Sequence, residues 1–122
     1  MSLAKVMIVD DSRTSRKLMR NILEGNDFEV VGEATNGEEA FMKYKELKPD
    51  LVTMDITMPK MDGIEALSLI RKDDSEAKVI MVSAAGQREK MVDALKRGAQ
   101  DFVTKPFDEE KVVSTLKDVL KI

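Results

Sequence analysis

Five short apolar runs alternate with five stretches of helical spacing, and this alternation constrains the fold more than any other feature of the sequence. Strands separated by helices form parallel βαβ units with right-handed crossovers. Such units build an open sheet covered by helices on both faces, and the scarcity of polar residues within the runs fits that burial. We therefore predict an α/β fold. The predicted strands are residues 5–9, 28–31, 51–54, 79–82 and 101–104.

Several residues are of types that commonly begin or end helices. Asn36, followed three residues later by Glu39, has the form of a capped helix start, and Asp108 is placed to cap the last helix. Gly25 and Gly98 are suited to ending helices. These signals place each helix between two predicted strands.

The length and charge of the chain limit its organisation and partners. Its 122 residues suffice for one domain, so we expect residues 1–122 to form a single domain. A net charge of -3 argues for neither a nucleic-acid surface nor a membrane face. No apolar stretch approaches the ~20 residues of a membrane span, and residues 1–3 lack a signal-peptide pattern. We expect a cytoplasmic monomer without nucleic-acid or membrane partners.

Polar groups follow four of the five predicted strands. Asp10 and Asp11 follow the first strand, Asp55 the third, Ser83 the fourth and Lys105 the fifth. In open α/β sheets, ligands bind outside the carboxyl ends of the strands. We therefore expect these five side chains to converge on one site.

The converging groups favour phosphoryl chemistry with a hard metal ion. Three neighbouring carboxylates repel one another, and Mg²⁺, which prefers oxygen ligands, would relieve this repulsion. With Mg²⁺ and Lys105 offsetting charge, Asp55 could attack a phosphoryl group to give an acyl phosphate, and Ser83 could hydrogen-bond a phosphoryl oxygen. The chain has no histidine and no cysteine, which excludes a Ser-His-Asp triad, a Cys-His pair and an ordinary zinc site.

Each of these groups also has a structural interpretation. The acids after the first strand, together with Ser12, could cap a helix. Asp55 could open a turn, Ser83 could be a loop hydroxyl, and Lys105 could be solvated. The nine methionines could be core residues, or Met91 and its neighbours could form an adaptable partner face. The joint occurrence of compatible groups at four strand ends favours the functional interpretation.

Four motifs lie at or after the ends of the predicted strands: IVDDS at 8–12, MDITMPKMDG at 54–63, VSA at 82–84 and KPF at 105–107. Through these motifs, and along its whole length, the chain resembles the receiver domain of two-component response regulators. Within that family it is most similar to the single-domain chemotaxis receivers of the CheY kind, through DLVTMDITMP, AAGQ and QDFVTKPF. The resemblance implies a flavodoxin-like sheet in the strand order 2-1-3-4-5.

The resemblance implies a role for each site residue. Asp55 would be the phosphoacceptor, and Asp11 and Asp55 would bind Mg²⁺ directly together with the backbone carbonyl of Thr57. Asp10 would act through water, and Lys105 would contact the phosphoryl group. The chain would then catalyse only its own phosphorylation and dephosphorylation, and would not be an enzyme in the ordinary sense.

The family's conformational switch also corresponds to residues of this chain. Phosphorylation would draw the Ser83 hydroxyl inward, and Phe102 would pack into the space left, changing the surface of the fourth helix, fifth strand and fifth helix. Thr57 and Ala85 occupy positions that tune water access to the acyl phosphate. The Lys105-Pro106 peptide bond would be cis.

The resemblance also implies partners. A sensor histidine kinase would donate the phosphoryl group from a phosphohistidine, since this chain has no histidine of its own. A flagellar motor switch protein or another output partner would read the signal, and a phosphatase could end it. One alternative is a stand-alone receiver in another phosphorelay.

Two alternatives lie outside the receiver family. The first is a haloacid-dehalogenase-like phosphatase, but those enzymes carry a second acid at the position of Thr57 and have longer cores. The second is an FMN-binding flavodoxin-like carrier, but Asp10 and Asp11 would repel its phosphate.

Overall fold

The computed structural model describes residues 2–122 and confirms the predicted alternation of strands and helices; Met1 lies outside the described residues. None of the helices in this part of the chain is long and apolar enough to span a bilayer. The elements are β1 (Lys5–Val9), α1 (Arg13–Glu24), β2 (Glu29–Ala34), α2 (Gly37–Leu47), β3 (Leu51–Asp55), α3 (Gly63–Asp73), β4 (Val79–Ser83), α4 (Arg88–Lys96), β5 (Asp101–Thr104) and α5 (Glu109–Leu120).

The five strands form one parallel sheet in the order β2-β1-β3-β4-β5, which confirms the flavodoxin-like fold. The chain runs outward from β1 to β2 and then returns past β1 to begin β3. The direction of winding therefore reverses between β1 and β3, and a crevice forms at the carboxyl ends of these two strands. All the strands end at this edge of the sheet.

Side chains from alternate strand positions fill two separate cores. Met7, Val52 and Met81 face one core, which α2, α3 and α4 cover. Ile8 and Val82 face the other core, which α1 and α5 cover. Every residue of β3 and β4 is buried, so the centre of the sheet is held on both faces.

Strand β2 differs from its prediction. It begins one residue later than predicted and continues through Gly32 and Glu33 to Ala34. This is an edge strand that pairs only with β1, so it is only half buried and lacks a continuous apolar run. Arginines of α1 hold the Glu33 carboxylate, with Arg16 at 3.0 Å and Arg20 at 2.7 Å. Burial would raise the pKa of Glu33, but the two guanidinium groups lower it below its usual value.

The predicted helix caps are confirmed at Asn36 and Asp108. The Asn36 side chain accepts from the Glu39 backbone N–H at 2.9 Å, and the Asp108 side chain accepts from the Lys111 N–H at 3.3 Å. Gly98 follows α4 with a left-handed φ of 107°, as its helix-ending role requires.

A glycine that ends a helix usually adopts a left-handed backbone conformation, but the glycine at the end of α1 does not. Gly25 is its C-cap but keeps a right-handed φ of -71°, and the left-handed residue is Asp27, with a φ of 68°. An aspartate tolerates this conformation better than most residues. The boundary of α1 was therefore predictable, whereas the residue that turns the chain was not.

The interpretation of the methionines as core residues is confirmed for six of them, whereas a partner face built around Met91 is wrong. Met91 is only 9% exposed and packs in the core beneath α4. Met42 on α2 is instead exposed. The buried methionines are Met7, Met19, Met54, Met58, Met81 and Met91.

Gly63, the first residue of α3, packs directly on the end of β3. A Cβ added there would collide with the backbone carbonyl oxygen of Asp55. The Gly63 N–H donates to the Ile56 carbonyl at 2.8 Å. The lack of a side chain therefore lets α3 start immediately beside the end of β3.

Gly63→Ala is expected to lower the free energy of unfolding by about 2 to 3 kcal/mol, because the methyl group must displace the end of β3. Urea unfolding followed by circular dichroism at 222 nm measures this change. Gly86→Ala is the comparison, since an added Cβ there meets nothing within 4 Å and only a φ of 83° opposes it. That variant should lose about 1 kcal/mol. Equal losses in the two variants would contradict the close packing described for Gly63.

Candidate functional site

Three carboxylates converge at the crevice between β1 and β3. Asp10 and Asp11 follow β1, Asp55 ends β3, and one oxygen from each lies within 4.8 Å of the others. Asp10 and Asp55 are buried, whereas Asp11 is exposed. The site is therefore open on the Asp11 side.

The loop after β1 is held tightly. Asp10 Oδ1 accepts from the backbone N–H of Ser12 at 2.8 Å, and Asp10 donates its own N–H to the Ala34 carbonyl at 3.0 Å. Arg16 donates to the Asp10 carbonyl at 2.9 Å. Ser12 is the N-cap of α1 and accepts from the Ser15 N–H at 3.2 Å. The capping interpretation is thus correct for Ser12, and the same turn fixes Asp10 at the crevice.

Lys105 joins the acidic cluster from β5. Its Nζ lies 3.0 Å from Asp10 Oδ2 and 3.4 Å from Asp55 Oδ2, so it is not a solvated surface lysine. Burial alone would lower the pKa of Lys105, but its contacts with the two carboxylates raise it above its usual value. The Lys105-Pro106 peptide bond is cis, and the Lys105 N–H donates to the Ser83 carbonyl at 2.8 Å.

One ammonium group does not balance three carboxylates. Burial, together with the neighbouring charge of Asp10, raises the pKa of Asp55 from 3.8 to about 6, although Lys105 opposes the shift. The donors at this site are carboxylate oxygens, which Mg²⁺ prefers, and a divalent cation would remove the repulsion. The geometry and the donor chemistry therefore fit Mg²⁺.

The remaining predicted residues lie on neighbouring segments. Ser83 is buried at the end of β4, and Lys105 follows β5 beside it. Thr57 and Ala85 are exposed, on loops that follow β3 and β4. The Ile56 N–H donates to the Val82 carbonyl at 3.1 Å, which keeps these two loops side by side.

The sequence analysis missed the contacts of Gln87 at this site. Its side chain lies between the loops, accepting from the Ala84 backbone N–H and donating to Thr57 Oγ1, each at 2.7 Å. The motif AAGQ by itself indicates only a likeness to relatives. One signal for these contacts exists in the sequence, because Gln87 precedes α4 at a position where Ser, Thr, Asp or Asn is the usual cap.

Phe102 lies near Ser83 on the adjacent strand. It pairs in register with Met81, two residues before Ser83, so the two side chains lie on the same face of the sheet. Phe102 is 38% exposed and lines a cavity of about 200 Å³ between β5 and α5. On the neighbouring helix α4, Val92 and Leu95 are also exposed. The exposed apolar residues of this surface are therefore Val92, Leu95 and Phe102, and not Met91.

Comparisons with known proteins identify relatives of the chain. The response regulator receiver domain matches residues 6–117. The chemotaxis protein CheY of Listeria monocytogenes is 54% identical over 117 residues, which cover 96% of this chain and 98% of that protein. The chemotaxis protein CheY of Thermotoga maritima is 52% identical, with the same coverage.

Solved structures agree with these sequence relatives. A chain of the CheX-CheY-BeF3-Mg²⁺ complex from Borrelia burgdorferi superposes with a TM-score of 0.91 at 44% identity, covering 95% of this chain and 88% of that one. The response regulator domain of Thermotoga maritima CheB gives a TM-score of 0.86 at 38% identity, covering 97% and 96%.

Asp55→Asn is expected to stabilise the metal-free protein at pH 7 by about 1 to 2 kcal/mol, and to give no gain near pH 4. A carboxyl group whose pKa is raised on folding destabilises the folded state once it ionises, so stability is lost between about pH 4 and pH 6. Urea unfolding in EDTA at the two pH values measures the difference.

The control for this measurement is Asp118→Asn, on an exposed turn of α5 outside the cluster. It should change the free energy of unfolding by less than about 0.5 kcal/mol at both pH values. A gain for Asp55→Asn that is the same at pH 4 and pH 7 would show that ionisation of Asp55 is not its cause.

Proposed function

Since the chain belongs to the response regulator receiver domain family, we propose that it is the phosphoacceptor of a two-component system, with Asp55 carrying the phosphoryl group. The observation that carries this proposal is the position of Asp55. It ends a central strand in the crevice, shares an acidic cluster with Asp10 and Asp11, and lies 3.4 Å from Lys105 Nζ. Residues 1–122 act as a single receiver domain.

The acidic cluster holds Mg²⁺. Asp11, Asp55 and the backbone carbonyl of Thr57 would hold the ion, and Asp10 would contribute through water. When bound, Mg²⁺ offsets the carboxylate charge and polarises the phosphoryl oxygens. The proximity of three carboxylates within 4.8 Å supports this assignment.

Asp55 is the nucleophile of the transfer. One of its carboxylate oxygens forms a bond to the phosphorus, and the bond from phosphorus to the imidazole nitrogen of the donor phosphohistidine breaks. The imidazole leaves with that electron pair. Lys105 offsets charge on the phosphoryl group, and the Ser83 hydroxyl donates to a phosphoryl oxygen. The chain acts on its own aspartate and turns over no separate substrate.

Two exposed residues set how long the acyl phosphate lasts. Thr57 and Ala85 lie on the loops beside Asp55, where a hydrolytic water must approach. The small side chain of Ala85 leaves this approach open, whereas Thr57 narrows it. Water access at these positions therefore tunes dephosphorylation.

Ser83 and Phe102 form the switch. Movement of the Ser83 hydroxyl toward the phosphoryl group opens space on the face of the sheet that Phe102 shares, and Phe102 then packs inward. The partial exposure of Phe102 supports this role, since its side chain is not locked in a core. The surface of α4, β5 and α5 thereby changes shape.

The partners follow from the chemotaxis relatives. A sensor histidine kinase supplies the phosphoryl group, and a flagellar motor switch protein reads the changed surface. A phosphatase ends the signal, and the Borrelia burgdorferi complex of CheY with CheX, beryllofluoride and Mg²⁺ supports such a third partner. The protein acts in the cytoplasm as a monomer, without nucleic-acid or membrane partners.

An output other than chemotaxis is the second candidate. The likeness to a two-component response regulator of the LuxR family from Aurantimonas sp., which is 34% identical with a TM-score of 0.92, favours it, because that protein is a response regulator of a different kind. The haloacid-dehalogenase-like alternative is not favoured, since the position of its general acid is occupied by Thr57.

Incubation with Mg²⁺ and acetyl phosphate is expected to add one phosphoryl group, measured by intact mass. The addition should be absent in Asp55→Asn and retained in the exposed control Asp118→Asn. Labelling that survives Asp55→Asn, or that proceeds in EDTA, would contradict the mechanism. Turnover of many equivalents of a phosphomonoester would favour the phosphatase alternative.

Beryllofluoride with Mg²⁺ is expected to tighten binding of a peptide from a flagellar motor switch protein by about tenfold, a coupling of about 1.4 kcal/mol. Isothermal titration calorimetry measures the affinity. Ser83→Ala should reduce this gain, because the alanine lacks the hydroxyl that moves. Unchanged affinity in the wild type would overturn the chemotaxis output and leave the phosphoacceptor proposal intact.

A further inference from the structure

Gln87 ties together the two loops that flank Asp55. Oε1 accepts from the Ala84 N–H at 2.7 Å, and Nε2 donates to Thr57 Oγ1 at 2.7 Å. The Ala84 N–H can only donate, so it fixes which end of the side-chain amide faces it. One planar amide group therefore joins the loop after β3 to the loop after β4.

The tied residues adjoin the reacting groups. Thr57 lies two residues after Asp55, and Ala84 directly follows Ser83. The oxygen and nitrogen of an amide are a fixed distance apart, so both hydrogen bonds are satisfied together only over a narrow range of loop spacings. A movement of Ser83 toward Asp55 that carries Ala84 with it changes this spacing and weakens at least one of the two bonds.

The bridge uses the side chain that stands at the capping position of α4. Gln87 is the N-cap of α4, but its side chain makes no capping hydrogen bond. Among the five helices within residues 2–122, the other four are capped by the side chain at this position. The side chain that could close the first turn of α4 is used between the loops instead.

We propose that Gln87 is a positioning residue that holds the loop after β4 in the unphosphorylated arrangement and is released when Asp55 carries a phosphoryl group. This inference rests on the proposed function of Asp55. A contact made only in the resting arrangement opposes phosphorylation by its own stabilisation of that arrangement. Loss of the contact should therefore favour the activated state.

The first test follows the Gln87 side chain directly in nitrogen-proton correlation spectra of the full chain. Beryllofluoride with Mg²⁺ should move the Gln87 side-chain amide resonances toward those of a free glutamine, while backbone amides around Asp55 also shift. Shifts around Asp55 without a change at Gln87 would overturn this inference and leave the proposed function standing. No shift at any residue would overturn both.

The second test measures affinity for beryllofluoride with Mg²⁺ by calorimetry. Gln87→Ala should raise the apparent affinity about two- to tenfold, the range expected for the net loss of one hydrogen bond. Gln100 is an exposed glutamine that precedes β5, at the end of the strands opposite the site, and Gln100→Ala should leave the affinity for beryllofluoride unchanged. A merely structural role for Gln87 would lower the affinity in Gln87→Ala, and that result would overturn the inference.

A double-mutant cycle separates the bridge from independent effects. Thr57→Val removes the hydroxyl that Nε2 contacts and keeps the backbone carbonyl. If the two side chains act through one bridge, the double variant should bind beryllofluoride no more tightly than Gln87→Ala alone. Fully additive gains would show that the residues act separately and would overturn the proposal.

Discussion

The repulsion among three carboxylates in one crevice is the interaction on which the rest of the structure depends. Each acid is attached to the end of a strand, and the hydrogen bonds of the sheet prevent the strands from moving apart. Burial, together with the neighbouring charge of Asp10, raises the pKa of Asp55, and Lys105 offsets only part of this shift. The fold therefore maintains an arrangement that is unfavourable by itself and becomes favourable when a divalent cation enters it.

The packing of the two cores stabilises the strands enough to keep the three carboxylates close together. Strands β3 and β4 are buried along their whole length, and the helices of both faces pack against them. Asp55 is thus the last residue of a strand, β3, that is buried along its whole length. The tight loop after β1, fixed by Ser12 and Arg16, holds Asp10 in the same way. A rigid scaffold is needed because a flexible one would relax the repulsion by moving the acids into solvent.

The sequence predicts the buried strands and the residues at their ends, because continuous apolar runs mark those strands. Strands β1 and β5 were predicted residue for residue, and the convergence of Asp10, Asp11, Asp55 and Lys105 followed from the rule that parallel strands end at one edge. The pattern failed where burial is incomplete. Half-buried β2 continues through Gly32 and Glu33, which no apolar run marks, because these two residues pair with Met7 and Ile8 of β1.

Tertiary contacts explain the other errors. Helical spacing alone does not say which face of α4 is buried, so Met91 was a candidate for the surface until the packing under α4 placed it in the core. The bridge made by Gln87 joins residues thirty positions apart, and only the folded arrangement of two loops reveals it. Local signals predicted helix caps because a cap is satisfied within four residues.

The difference in burial between the central strand β3 and the edge strand β5 fits the different roles proposed for their residues. A phosphoacceptor must be fixed, because a displacement of about 1 Å at the reacting atom costs orders of magnitude in rate. A readout must move, because a partner can only detect a surface that differs between two states. Asp55, the proposed phosphoacceptor, lies on a central strand with every residue buried, whereas Phe102, the proposed readout residue, lies on a four-residue edge strand with one buried residue. A movement of β5 therefore disturbs fewer buried side chains than a movement of β3, and the loop held by Gln87 lies between these two strands.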